Sequence, residues 1–323
     1  MSWFLRRAGQ ALVTFLLATT LVFFLMRLTP GDPLARLSED RPISPEAIAD
    51  LRVRYGLDQP LLHQFTTFLG GVAQGQLGSS IGHNGQPVTR LIAERLPLTL
   101  LLGTVVLALN FTIGVLLGVW QAGRAGSAAD TWASRLTLTA YAIPVFWLGV
   151  VLQWWIGVEL RWLPTGGPSD PLLSYNATAL TRLLDRARHL ILPALTLSFV
   201  TFAATARYQR AAMIEALDLE CIRTARMKGL RERSVIWRHA WRNAVGPVIT
   251  LLGLWLPLLV AGTVFVESIF SWPGLGSLAY EAIGSRDYPV IMGATILVSA
   301  LVILGNLVAD VLHRVADPRL RSA

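Results

Sequence analysis

Six long uncharged apolar runs, at 8–26, 96–120, 136–158, 190–206, 244–266 and 288–309, alternate with polar segments along the chain. A helix needs about 20 apolar residues to cross a hydrocarbon core, with a usable range of about 17–25. Each run therefore predicts one span, and "LILPALTLSFVTFAATA" at 190–206 is the shortest. The predicted fold class is an all-α polytopic membrane protein with six transmembrane helices. The first run follows "MSWFLRR", a basic start that a secretory signal would share. Its apolar stretch is longer than a signal core, and no small-x-small cleavage site precedes "RLTPGDP", so it reads as a retained span. Pro144, Pro193 and Pro257 fall inside runs. Each lacks a backbone donor and crowds the preceding turn, which predicts a kink.

The longest polar segment, about 30–95, contains "SPEAIADLRVRYGLDQPLLHQFTTFLGGV", which predicts one or two amphipathic helices. Ser44 is the expected N-cap with Pro45 at the first helical position, and Gly56 and Pro60 break the pattern. "GQLGSSIGHNGQP" then reads as turns. The segment reads structurally as an external subdomain or a set of interface-lying helices, and functionally as a surface that could help receive a docking partner. A second such segment, 159–188, carries "LPTGGPSDP" and predicts irregular structure.

Composition agrees with a membrane protein, since 53% of residues are hydrophobic and only 15% charged, against about 25% charged in soluble domains. Charge also sets direction. With the N-terminus inside, 16 of the 28 basic residues but only 7 of the 20 acidic ones lie on the inner face. Basic residues favour the cytoplasmic side, so both termini are expected there. The net charge of +8 is then a sign of orientation and gives no reason to expect nucleic acid. Cys221 is the single cysteine, which excludes an internal disulfide and offers no metal-ligand spacing.

The runs contain no Asp, Glu, Lys, Arg or His, so the ionisable residues that couple ions in secondary transporters are missing. Asn110, Gln153 and Asn306 lie within runs and read as interhelical hydrogen-bonding groups, with Glu267 and Asp310 near run ends. Lys228 is the one lysine and precedes Gly229, not Ser or Thr, so no phosphate-binding loop exists. Any ATP must bind another subunit. The five histidines, 63, 83, 189, 239 and 313, fall in loops or at span ends, and no hydrolytic constellation is visible. Neither an enzyme nor a resident cofactor is expected.

One basic block interrupts this pattern between the fourth and fifth runs. "IEALDLECIRTARMKGL" predicts a helix, Gly229 a turn, and "RERSVIWRHAWRNAV" a second helix. Ala225 and Gly229 would leave room for another protein to approach. Arg223, Arg226, Arg231 and Arg233 would pair with its acidic groups. The alternative is a basic loop resting on lipid head groups, and the block alone does not choose between them.

The stretch "RTARMKGLRERSVIWRHAWRNAVGPVIT" resembles the cytoplasmic EAA loop of bacterial ABC-importer permeases, in the form found in dipeptide, oligopeptide and nickel permeases. "RLTPGDP", "YGLDQPLLHQF", "RLPLTLLL", "AYAIPVFWLG", "VESIFSWPGLGSLAYEAIGSRDYPVI" and "NLVADVLHRVADPRLR" extend the resemblance along the chain. It implies a type I ABC-importer permease fold in the bacterial inner membrane. The implied parts are an N-terminal span (1–29), an extracytoplasmic segment (30–95), a core (96–313) with a coupling loop at about 207–245, and a cytoplasmic tail (314–323). By position, Arg223, Thr224, Ala225, Arg226, Lys228 and Gly229 form a coupling element for a cytoplasmic ATPase. The implied partners are a second homologous permease, two ABC ATPase subunits that bind the ATP, an extracytoplasmic substrate-binding protein, and membrane lipid. The implied cargo is di- or oligopeptide, with nickel or a metal chelate as the alternative, and the residues of the substrate path are not named. Gly246-Pro247 stands where the family often has Leu-Pro, and Gln76 where Asp is common. A stand-alone channel would share the uncharged spans but has no need of the basic two-helix loop.

Overall fold

The structure, a computed structural model, describes residues 2–29, 34, 44–173, 177–261 and 263–316. Among them the chain is helical, with one isolated bridge between Ser79 and Pro87. In chain order the helices are α1 (Ser2–Leu28), α2 (Pro45–Arg54), α3 (Leu61–Ala73), α4 (Val88–Ala122), α5 (Ala128–Ala142) and α6 (Val145–Leu152), which runs on as π-helix through Gln153–Glu159. They continue with α7 (Ala179–Leu217) and α8 (Glu220–Met227). Then comes α9, built of Glu232–Ser234, a π-helical Val235–Ala240 and Trp241–Ala244. The last are α10 (Gly246–Ala261), α11 (Val264–Ile269), α12 (Leu275–Ser285) and α13 (Tyr288–Ala316).

Among the described residues four helices are long and apolar enough to cross a membrane: Leu5–Leu28 of α1, α4, α7 and Tyr288–Arg314 of α13. The third run differs from the single kinked span expected. It is a helix pair, α5 and α6, bent by 95° at Pro144. Ile143 is extended, the conformation that a following proline favours, so the helix stops there and α6 starts anew on Pro144. Pro193, by contrast, is absorbed inside the 39-residue α7. The kink expected at Pro257 concerns a side chain outside those described. The shortest apolar run belongs to this long α7, whose most apolar window is 72% buried. Such a helix carries charge at both ends, and hydropathy alone under-measures it. The fifth run yields the shorter α10, apolar over Gly246–Trp255.

The described chain forms two compact units, and the first comprises Met1–Thr99 and Pro273–Ile303. Ser44 accepts a hydrogen bond from Ala47 N at 3.2 Å and caps α2, with Pro45 at its start as expected. The core joins Val88, Leu91 and Ile92 of α4 to Leu275, Leu278 and Ala282 of α12 and Val290 and Ala294 of α13. A buried carboxylate holds residues 80–82 of the turn-rich "GQLGSSIGHNGQP" stretch in place. Asp287 accepts from Ile81 N at 3.1 Å, Gly82 N at 2.8 Å and the Ser80 hydroxyl. Tyr55 donates its hydroxyl to the Ser80 carbonyl at 3.1 Å. Burial first, and the Asp287 charge second, raise the Tyr55 pKa.

The second unit comprises Leu100–Trp272 and Leu304–Ala323. Within it α4 and α7 touch backbone to backbone. A Cβ at Gly114 would lie 2.8 Å from the Thr205 Cβ, and one at Gly118 only 2.6 Å from the Ala206 carbonyl oxygen. Small residues four apart permit this approach in membrane helices. Asn110 accepts from the Thr205 hydroxyl at 2.8 Å, and Gln153 donates to the carbonyls of Thr165 and Ile269 at 2.7 and 2.8 Å. Both act as interhelical hydrogen-bonding groups, as expected of them. Asn306 is exposed.

Candidate functional site

The basic block lies wholly in the second unit and is built as a bent pair of short helices, α8 and α9. After α7 ends at Leu217, Leu219 turns the chain, and its carbonyl accepts from Ile222 N and Arg223 N. Ile222 and Ala225, three residues apart, share one face of α8 and are 0% and 6% exposed. They enter a core with Val119 and Ala122 of α4, Met213 and Ala216 of α7, and Val235, Ala240 and Ala244 of α9. The inner face thus anchors the helix by burial, and the outer face is free to be charged. Arg223, Thr224, Met227 and Lys228 all lie exposed, Met227 at 80%.

Gly229 ends the helix at φ +72° with open space where a Cβ would sit. Its amide donates to the Arg226 carbonyl, and Leu230 N donates to that of Ala225. This is a left-handed helix stop, which glycine adopts without steric cost. Arg226 then closes the bend onto Glu232, with Nη2 to Oε1 at 2.8 Å and Nε to Oε2 at 3.3 Å. That hydrogen bond, more than the nearby charge, raises the Arg226 pKa. Arg223 pairs with Glu220 at 2.8 Å. Lys228, Arg231 and Arg233 make no ion pair among the described residues. Arg231 and Arg233 edge a shallow groove of about 410 Å³ with Ser234 and Trp237.

Two expectations change. Ala225 does not make room for a visitor, because it faces the protein's own core and is small to fit there. Gly229 is needed for its backbone angle, since no neighbour crowds it. Arg223 and Arg226 are not idle cations either, as each already has a carboxylate within the block. Of the six residues expected in the coupling element, five lie on one exposed bend and Ala225 lies beneath it.

Sequence reasoning missed the root of this bend. Arg210 of α7 grips Asp130 of α5 with Nε and Nη2, each at 2.7 Å, and Gly126 N adds a third bond at 3.0 Å. Ser127 caps α5 beside it through Asp130 N. The cap signal was legible in "GSAAD", but the pairing spans 80 residues, and nothing local announces it. The arrangement as a whole carries no reacting group. It is a short rod, fixed along one face to three helices, that presents cations and a long thioether to whatever lies beyond. Such a part can transmit displacement into helices α4 and α7.

A family model described as "Binding-protein-dependent transport system inner membrane component" matches residues 114–322. Its N-terminal companion, "Binding-prot-dependent transport system membrane comp, N-term", matches residues 1–103. The chain is 40% identical over 319 residues to the oligopeptide transport system permease protein AppB of Bacillus subtilis, covering 99% of each chain. It is 40% identical over 333 residues to the di/tripeptide transport system permease protein DppB of Pseudomonas aeruginosa, again covering 99% of each. The dipeptide transport system permease protein DppB of Escherichia coli K12 is 38% identical over 336 residues with the same coverage.

Proposed function

The chain belongs to the binding-protein-dependent transport system inner membrane component family, and from that premise we propose that it is the membrane permease of an importer for di- and oligopeptides. One observation carries the substrate class: three relatives matched over 99% of their length are named for peptide transport. None of those names points to nickel or a chelate, so the metal alternative is not favoured.

In this reading six spans cross the membrane, with α5 and α6 as one broken span and α10 as another, and both termini face the cytoplasm. A second, similar permease completes the translocation path. Two cytoplasmic ATPases bind the ATP, and an external binding protein delivers peptide. Lys228 and Gly229 lie at the tip of the coupling element, with Arg223, Thr224 and Arg226 on the helix behind it. Two features support that role. The exposed cations suit acidic groups on a partner, and the buried Ile222 and Ala225 tie the bend to α4 and α7. A push on α8 then reaches the spans through packed side chains, with no chemistry performed on the cargo.

Co-purification tests the proposal. The chain is expressed with its genomic neighbours, drawn down in mild detergent, and assayed for ATP hydrolysis with binding protein and a dipeptide. Hydrolysis that rises only with the loaded binding protein is the expected result. A chain that purifies alone and passes peptide without ATP would make it a facilitator and end the importer reading.

A further inference from the structure

The first unit contains a cavity of about 620 Å³ that the transport reading does not use. It lies where the end of α1 meets α2 and α3, and its lining includes Phe23, Arg27, Arg54, His63, Gln64 and Phe68. Two of these present buried polar atoms with no partner: the Arg27 Nε, a donor, and the Gln64 Oε1, an acceptor. The orientation of the Gln64 amide is set by chemistry. Its Nε2 donates to the Gln59 carbonyl at 2.8 Å, where an oxygen would be repelled. Its carbonyl is therefore the end left over. An unpartnered buried polar atom destabilises the fold, so a native pair of them in one cavity needs an explanation.

The surroundings narrow the ligand. Arg27 sits in the last turn of the candidate span Leu5–Leu28, where a crossing helix meets the lipid head groups, and its guanidinium lies 5.6 Å from the Phe23 ring centre. Arg54 adds a second cation to the wall. Phe23 and Phe68 stack at 5.3 Å to form an apolar side. Leu17, Leu21, Leu25 and Leu28 of α1 are exposed, as a surface for acyl chains would be. A free anion without a donor, such as chloride or sulfate, would satisfy Arg27 and leave Gln64 unanswered. A phosphodiester that also carries an O–H or N–H donor answers both.

We propose that this cavity binds the head group of a membrane phospholipid, with phosphate oxygen on Arg27 and a head-group donor on the Gln64 carbonyl. An arginine holds a phosphate oxygen by a charge-assisted hydrogen bond, stronger than one between neutral groups. The site would fix the end of α1 to α3 through a lipid.

The test uses the full permease complex in nanodiscs containing a photoactivatable phosphatidylglycerol, with cross-links mapped by mass spectrometry. Label is expected on Leu61–Ala73 and on the last turn of α1. Arg27→Gln and Gln64→Leu should each lower it about five- to tenfold, as loss of one strong hydrogen bond implies. Arg27→Lys should keep most of it. Label on the exposed Trp132 and Leu136 of α5 should stay unchanged in every variant and reports a folded, embedded chain. Unchanged label at α3 in both variants overturns the site. Displacement by inorganic phosphate would make it a free-anion site, and displacement by a dipeptide a substrate site, and either overturns the lipid proposal. The readout needs neither ATP nor transport, so its failure leaves the importer reading intact.

Discussion

Two arginine–carboxylate pairs in the second unit use the same atoms to opposite ends. Asp130 and Arg210 are 3% and 30% exposed at the side chain, and both guanidinium contacts are 2.7 Å. Arg226 and Glu232 are 43% and 56% exposed, with one contact at 2.8 Å and one at 3.3 Å. Water screens the second pair far more than the first, so the second is worth little and the first is costly to break. The difference shows how one region combines a fixed root with an adaptable tip. Helix α7, which bears α8, is locked to α5 by a buried charge pair. The bend itself is held by apolar burial on one side, and its surface charges stay free to re-pair with a partner.

The strongest way to break that comparison is Asp130→Ala. It strips the acceptor from Arg210 and from Gly126 N together, and the expected loss is about 3 kcal/mol, the low end for an opened buried pair because Arg210 keeps some water. Thermal melting in detergent measures it, and a loss below 1 kcal/mol would mean that the root is no more fixed than the tip. Gly118→Leu comes next, at about 2 kcal/mol. Its Cβ would strike the Ala206 carbonyl, which is backbone and cannot swing aside. A fall in melting temperature without loss of membrane insertion is expected. An unchanged melt would show that α4 and α7 separate more easily than their contact implies.

Much of this was legible in the sequence, and the gaps have physical causes. Long apolar runs marked the four long apolar helices among the described residues, because crossing a membrane enforces length. They understated α7, which continues on both sides of its apolar run through charged residues such as Arg182, Arg186, Arg207 and Glu215. They missed the 95° break at Pro144, because proline tells where a helix can stop and tertiary packing decides whether it does. At the candidate site, residue types and the glycine turn predicted the bend. Facing was harder. Ala225 reads as small and therefore accessible, yet only its three-residue spacing from Ile222 shows that it belongs to the inner face. Gly114 and Gly118 carried a local signal, the Gly-x-x-x-Gly spacing in "GVLLG", that marks close helix contact and was not used. Asp130–Arg210 and Asp287 with the 80–82 turn join distant segments, and no single-chain pattern encodes them.

Gly229 sharpens the comparison at the tip. Alanine there must adopt a left-handed angle, at a cost of about 1 kcal/mol, but it adds no charge and meets no neighbour. Aspartate tolerates that angle better and places a negative group among Lys228, Arg231 and Arg233. Gly229→Ala should therefore lower the melt slightly and keep peptide uptake, while Gly229→Asp should keep the melt and abolish uptake at equal membrane levels. If both variants transport normally, the bend is not where the partner docks.

The smallest effect is expected from Glu232→Gln, and it is informative for that reason. The substitution keeps shape and one hydrogen-bond acceptor while removing the charge that faces Arg226. An exposed pair of this kind contributes about 0.5 kcal/mol or less, and salt screens what there is. Because Glu232 raises the Arg226 pKa, the arginine's share of that stability is present below its ordinary pKa and lost only as pH climbs past the raised one. Melting curves at neutral pH should then be unaffected by small changes of pH, in wild type and variant alike. The partner's response should differ: freed from Glu232, Arg226 joins the unpaired cations, and salt should weaken the ATPase assembly more steeply in the variant. Equal salt dependence in the two would mean that Arg226 stays bound to the bend even when its counter-charge is gone, and that the tip is less adaptable than its exposure suggests.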